Sequence, residues 1–319
     1  VKSLEKKQKL IVLIGPTAVG KTELSIHLAK QFNGEIISGD SMQIYKGMDI
    51  GTAKIKEEEM NGVPHHLIDI KEPDEPFSVA EFQEKVRKEI NIISQKNAIP
   101  MIVGGTGLYI QSVIYDYQFS EAPGDATIRA QYEKKAEKEG NLSVYQLLEQ
   151  MDPESAKKIH PNNIRRVIRA LEVIHCTGKT ATEYQKQQAT ELLYDVAIIG
   201  LTMERDKLYE RINQRVDNMI NKGLIDEVKG LYERGIRNVQ SIQAIGYKEL
   251  YDYFDGKITL DEAINQLKQN SRRYAKRQLT WFRNKMDVTW FDMTNEMDRK
   301  KKINEISHFV AGKLRLKSN

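Results

Sequence analysis

Gly15-Pro16-Thr17-Ala18-Val19-Gly20-Lys21-Thr22 is the stretch on which the fold turns. Ahead of it, Leu10 to Ile14 is a short apolar run of buried-strand type. Behind it, Leu24, Leu28 and Phe32 recur at four-residue spacing, one face of a helix that closes at Asn33-Gly34. The octet matches G-x-x-x-x-G-K-[ST], and strand before with helix after is the context this motif requires. Its glycines let the backbone curl so that N–H groups face inward, and the helix N-terminus adds partial positive charge. Lys21 reaches the outer phosphates and Thr22 offers its hydroxyl to Mg²⁺. Such a loop reads a polyphosphate and its metal. It does not read what is attached to them.

Working outward, Glu35 to Ser38 reads as a second strand and Pro100 to Val103 as a third, ending in Gly104-Gly105-Thr106-Gly107. Between them, Ser78 with Glu81 forms a capping box for a helix whose Phe82, Val86, Ile90 and Ile93 line one face. Strands alternating with helices imply right-handed βαβ units and a parallel sheet covered on both faces. Residues 125–185 are mostly helix formers with a break at Pro161-Asn162-Asn163, and Val196 to Met203 is a strand again. A further helix carries Leu208, Ile212, Val216 and Met219. The expected architecture is α/β: a P-loop NTPase-like parallel sheet core over 1–115, a helical insertion domain over 116–195, and core completion with a helical C-terminal region over 196–319.

The 319 residues, 40% hydrophobic and 29% charged, suffice for a buried core and exclude a disordered tail protein. The apolar runs fall well below the ~20 residues of a membrane span, and VKSLEKKQKL lacks a signal-type segment, so no membrane contact is expected. The single Cys176 cannot form an internal disulfide or a Cys-rich zinc site, which fits a reducing cytoplasm. Net charge is only +4, yet no acid lies between Glu262 and Asp287 while Lys268, Arg272, Arg273, Lys276, Arg277, Arg283 and Lys285 do. With Tyr274, Trp281 and Phe282 interleaved, the stretch reads either as a phosphate-contacting surface or as a solvated basic helix.

Asp40, in Gly39-Asp40-Ser41-Met42-Gln43, follows the second strand, and the carboxyl ends of parallel strands form the substrate crevice of open α/β sheets. An Asx turn or helix cap is the competing reading. Gly104-Gly105-Thr106 opens onto the same rim, unless its glycines serve only close packing. Arg211 and Arg215 share a helix face, where surface salt bridges are the usual fate. Arg165, Arg166 and Arg169 lie on the first turns of a helix in the insertion. His65-His66 is not expected to hold a metal, since neighbours in an extended segment point to opposite sides. No N-K-x-D follows, and Leu67-Ile68-Asp69 is a weak Walker B candidate, so an ordinary GTPase or motor ATPase is disfavoured.

GPTAVGKT, GDSMQIYKGMDIGTAK, PHHLIDI, IVGGTGLYI, IHPNNIRRVIRALEV, AIGYKE and AKRQLTWFR stand in the order found in the tRNA dimethylallyltransferases (tRNA isopentenyltransferases), which the chain resembles from about residue 10 to 285. The resemblance implies Mg²⁺-assisted transfer of a dimethylallyl group from dimethylallyl diphosphate to N6 of the adenosine 3′ of the tRNA anticodon (position 37). It implies that the P-loop, Gly15 to Thr22, holds a prenyl diphosphate, with Thr22 toward the metal. It makes Asp40 the base for the N6 amine, and Thr17 and Arg215 the contacts to the leaving diphosphate. Asp40, Ser41, Met42, Gln43, Thr106, Arg129, Arg165, Arg166, Val167, Ile168 and Arg169 match positions that hold the tRNA. Eukaryotic members carry a C-terminal zinc finger that one cysteine cannot build, so the bacterial form, a cytoplasmic monomer, is expected. The alternatives are a P-loop kinase of a nucleotide or small molecule, which needs no basic aromatic stretch, and a nucleotide-dependent RNA-binding module.

Overall fold

The computed structural model describes residues 7–117, 125–186 and 191–317. They divide into two compact units, one formed by the chain up to Ile114 together with the chain from Leu192 onward, the other spanning Tyr115–Glu191. The second unit is thus shorter at its C-terminal end than 116–195, because Asp195 already pairs with Lys9 in the sheet.

The first unit is built on β1 (Lys9–Ile14), α1 (Lys21–Phe32), β2 (Gly34–Ser38), α2 (Glu57–Met60), β3 (His65–His66), α3 (Val79–Gln95), β4 (Ile99–Gly104) and α4 (Gly107–Ile114). All four strands anticipated in the sequence are present, each within a residue or two. The sheet has six parallel strands in the order β3-β2-β4-β1, then β5 (Asp195–Thr202) and β6 (Thr289–Asp292). β1 lies between β4 and β5, and Leu10 to Ile14 have no exposed surface. A strand covered on both faces and paired on both edges has to be a continuous apolar run, which is what LIVLI supplies. Phe82, Val86, Ile90 and Ile93 are buried as their spacing requires. The capping box is only half made: Ser78 Oγ accepts the Glu81 N–H, while the Glu81 carboxylate turns to Lys71 at 3.1 Å. Asn33, not Gly34, takes the left-handed conformation that ends α1. Gly34 opens β2, where a Cβ would sit 2.8 Å from Met101 Sδ.

In the second unit, α5 (Ala126–Glu139), α6 (Asn141–Met151), α7 (Pro153–Ala156), α8 (Ile164–Thr177) and α9 (Ala181–Lys186) follow one another without a strand. Val144, Leu148, Ala156, Val167, Ile168, Ala170 and Leu171 form its core. This corrects the assignment of Val167 and Ile168 to RNA contact. Both side chains are buried in that core, as i and i+1 can be on a wide apolar helix face, and present nothing to an RNA. Glu172 is fully buried and accepts from Arg129 at 3.0 Å and Arg169 at 2.9 Å, so these two arginines brace the unit.

After β5 the first unit continues through α10 (Arg205–Asn221), α11 (Leu224–Glu233), α12 (Tyr247–Phe254), α13 (Leu260–Lys285) and, beyond β6, α14 (Arg299–Leu314). The basic stretch is the C-terminal two-thirds of α13, a single 26-residue helix. Among the described residues no helix is long and apolar enough to cross a membrane.

Candidate active site

The loops leaving the carboxyl ends of β1, β2 and β4 lie side by side because those strands are neighbours. Their approach depends on missing side chains. A Cβ on Gly104 would come within 2.4 Å of the Gly39 carbonyl, and one on Gly105 within 2.0 Å of Gln278 Nε2. Gly20 ends the P-loop at φ 102°, a conformation open to glycine, and Ala18 is held at φ 65° despite its Cβ. Backbone strain of this kind collects where a ligand is gripped.

These loops and the helices α10 and α13 enclose a cavity of about 550 Å³. Thr17, Ala18, Gly20, Lys21 and Thr22 line it from the P-loop, Asp40 to Gln43 from the turn after β2, and Arg215 from α10. Ile212, Val216, Met219, Ala244, Ile245 and Leu267 add an apolar wall. Lys21 Nζ donates to the Gly15 and Pro16 carbonyls at 2.9 and 2.8 Å. Burial, with the Arg215 charge adding to it, brings its ammonium down to about 7. Burial also lowers the Arg215 guanidinium. Two cations buried side by side suit the cavity to an anion, and the P-loop N–H groups face the same space.

Asp40 is partly buried, and Oδ1 accepts the Met42 N–H at 2.9 Å. Burial raises its carboxyl above the usual range, against the pull of the Met42 N–H and of the Lys21 and Arg215 charges. The Asx turn is made, and it leaves the carboxylate on the cavity wall, so the two readings of Asp40 are compatible. Thr106 Oγ1 accepts the Ser41 N–H at 3.3 Å and so ties the β4 loop to the Asp40 turn. The amide of Gln43 is occupied within the chain: Nε2 donates to the Thr52 carbonyl at 3.2 Å and Oε1 accepts from Ser38 Oγ at 3.0 Å. Gln43 thus serves the wall of the cavity more than recognition of a ligand.

Arg211 and Arg215, equivalent by spacing, part company. Arg211, partly buried, pairs with the exposed Glu296 at 3.5 Å, while Arg215 faces the cavity. His66 binds Glu35 at 2.7 Å, and His65 Nδ1 meets the Val63 carbonyl at 2.8 Å. Asp69 is no Walker B carboxylate, because it is held 2.5 Å from Lys54 in a loop beyond the two-residue β3.

Two cavity residues had no signal of their own in the sequence. Gln278, buried, accepts the Thr17 N–H at 3.1 Å and donates to the Gly105 carbonyl at 3.0 Å, joining the P-loop to the β4 loop. Tyr274, one turn earlier, lies near Asp40, and burial together with that charge pushes its hydroxyl up to about 12. Only their place inside the basic stretch marked them.

The donor set suits Mg²⁺. Thr22 offers one exposed hydroxyl beside Lys21, and among the described residues no three His, Cys, Asp or Glu side chains cluster as a metal cage. Mg²⁺ commonly takes few protein ligands and completes its shell with substrate phosphates and water.

Residues 43–285 match the family model described as IPP transferase. A tRNA dimethylallyltransferase of Anoxybacillus flavithermus is 65% identical over 98% of this chain and 99% of its own length. The corresponding protein of Geobacillus thermodenitrificans is 64% identical over the same shares. A crystal structure of the full-length tRNA isopentenylpyrophosphate transferase of Bacillus halodurans aligns with a TM-score of 0.74 at 57% identity, covering 97% of each chain. A eukaryotic dimethylallyltransferase, described as captured acting on tRNA, aligns with a TM-score of 0.81 at 32% identity, over 93% of this chain and 77% of that one. On this evidence the chain belongs to the tRNA dimethylallyltransferase family.

Proposed function

We propose that this chain transfers the dimethylallyl group of dimethylallyl diphosphate to N6 of the adenosine immediately 3′ of the tRNA anticodon, releasing diphosphate. The observation that carries the reading is that one cavity is lined by the P-loop with Lys21, by the Asp40 carboxylate and by the Arg215 guanidinium. Asp40 accepts the N6 proton as the N6–C1 bond forms, which a weakly nucleophilic exocyclic amine requires. The C1–O bond breaks with its electron pair on the diphosphate, and Thr17, Lys21 and Arg215 meet the charge that develops there. The apolar wall of Ile212, Val216, Met219 and Leu267 is suited to the prenyl group. Mg²⁺, when held at Thr22, supplies further charge neutralisation to the diphosphate. A base stacked in the anticodon loop must be extruded to reach Asp40, at a cost of roughly a few kcal/mol that phosphate contacts offset. The basic face of α13 is suited to those contacts, and a monomer suffices for the scheme. Mass analysis of nucleosides from tRNA incubated with the protein and dimethylallyl diphosphate tests it, and unmodified adenosine would sink it.

Donor choice separates this reading from a kinase. Dimethylallyl diphosphate with Mg²⁺ is expected to raise the melting temperature more than ATP at equal concentration. Burial lowers the Lys21 ammonium to about 7 in the free chain, and an anion in the site raises it again. Binding therefore takes up a proton above pH 7, and protection declines as the pH rises past that value. Titration calorimetry at pH 8 in two buffers of different ionisation heat reads the uptake. Stronger protection by ATP, or no proton uptake, would speak for a different ligand.

The arginines of the second unit divide into two kinds. Arg165 and Arg166 are exposed, whereas Arg169 is half-exposed and bound to the buried Glu172. Arg166→Ala is expected to leave unfolding unchanged and to lower the salt slope of tRNA binding by roughly 0.7–0.9. Arg169→Ala is expected to cost about 1–2 kcal/mol, less than the ~3–5 of a fully buried pair because Arg129 remains and both guanidiniums reach solvent. Urea unfolding alongside tRNA binding at two salt concentrations tells positioning from bracing.

A further inference from the structure

Two of the segments that carry the resemblance, MDIGTAK at Met48–Lys54 and the Gly246–Glu249 end of AIGYKE, have no assigned role so far. They meet at one carboxylate. Glu227, on α11, accepts the backbone N–H groups of Asp49 at 2.9 Å, Ile50 at 2.7 Å and Gly51 at 3.0 Å. It also accepts the Tyr247 hydroxyl at 2.5 Å, and the Tyr247 side chain is fully buried. Three successive N–H groups converging on one anion form a backbone nest, here filled from within the chain. The fit is close: a Cβ on Gly51 would lie 2.5 Å from the Tyr247 ring.

The clamped loop is a wall of the cavity. Gly51, Thr52 and Ala53 line it, and the Thr52 carbonyl holds the Gln43 amide, three residues after Asp40. Its far end is fixed separately, by Lys54 on Asp49, Asp69 and the Tyr45 carbonyl. Ala53, at φ 46°, is strained between the two anchors. We infer that Glu227 and Tyr247 are positioning residues for the acceptor, holding the 49–53 loop and through Gln43 the Asp40 turn in the geometry that receives the adenine. This rests on the assignment of Asp40 to the acceptor in the proposed function. Neither side chain hydrogen-bonds to the P-loop, so the clamp bears on the diphosphate grip less directly than on the Asp40 turn.

Glu227→Gln, which places an amide donor against backbone donors, and Tyr247→Phe, which removes one hydrogen bond, test the inference. Steady-state kinetics with tRNA, calorimetric binding of dimethylallyl diphosphate, and amide hydrogen exchange over 48–54 are measured on both variants and the unmodified chain. Glu227→Gln is expected to lower kcat/KM for tRNA roughly 10–100-fold, as a small misplacement at a distance can. Tyr247→Phe does so less. Donor affinity stays within about twofold, and exchange speeds up at 49–51 rather than throughout. Equal losses in donor and tRNA terms, or unchanged exchange at 49–51, would overturn it. An unmodified chain that transfers nothing would instead remove the proposed function, and with it the acceptor role of the clamp; the exchange data would still report whether the clamp holds the loop.

Discussion

Asp40→Asn is expected to lower turnover by about 10²–10⁴-fold while tRNA and dimethylallyl diphosphate still bind, because the substitution keeps the shape of the turn and removes only the proton acceptor. The Met42 N–H has an amide oxygen to donate to in place of the carboxylate, so the turn after β2 stays folded. The pH profile carries the sharper test. Burial raises the Asp40 carboxyl, and the Met42 N–H with the Lys21 and Arg215 charges only partly offsets this. A base must be ionised to work, so kcat/KM rises with pH through that raised value, above the ordinary ~4 of a carboxylic acid. The acid limb should be absent from the residual activity of Asp40→Asn. Retention of near-normal turnover, or an unchanged acid limb, would reduce Asp40 to a structural turn residue.

Arg215→Ala is expected to slow transfer by roughly 10²–10³-fold, or ~2.7–4 kcal/mol, the range for losing one preorganised group that meets developing charge. The effect on donor affinity should be smaller. In the ground state the diphosphate already has the P-loop amides and Lys21, whereas charge on the bridging oxygen grows only as the C–O bond breaks. Single-turnover rates against donor dissociation constants separate the two. Parallel losses in both would make Arg215 a binding residue only. Arg211→Ala is the internal control. It lies one turn away but pairs with Glu296, and should leave the chemical step near normal.

That contrast shows where the sequence stops. Arg211 and Arg215 have the same residue type and share one helix face, and nothing local tells them apart. The packing of α10 against α13 decides which reaches the cavity. Asp40 is a different case. Its place after a parallel strand and before a turn is enough to put it at the rim, since the carboxyl ends of parallel strands share one edge of the sheet whatever their order. The P-loop is legible for the same reason: eight residues in order, strand before and helix after, carry the phosphate-binding pattern of that loop, while Arg215 joins it only through the fold.

β6 was missed because Thr289–Asp292 is a four-residue edge strand with one buried side chain, too short to set up a period. Val167 and Ile168 were misplaced because membership of a basic motif does not say which side of the helix each residue faces. Four of the six strands, the phosphate loop and the carboxylate after the second strand are written in contiguous residues whose spacing shows their direction. Tertiary structure alone decided the rest. Gln278 reaches Thr17 across 261 positions of chain, and Glu227 reaches Gly51 across 176. Contacts of that separation depend on how helices pack against the sheet, and side-chain spacing along the chain carries no record of it.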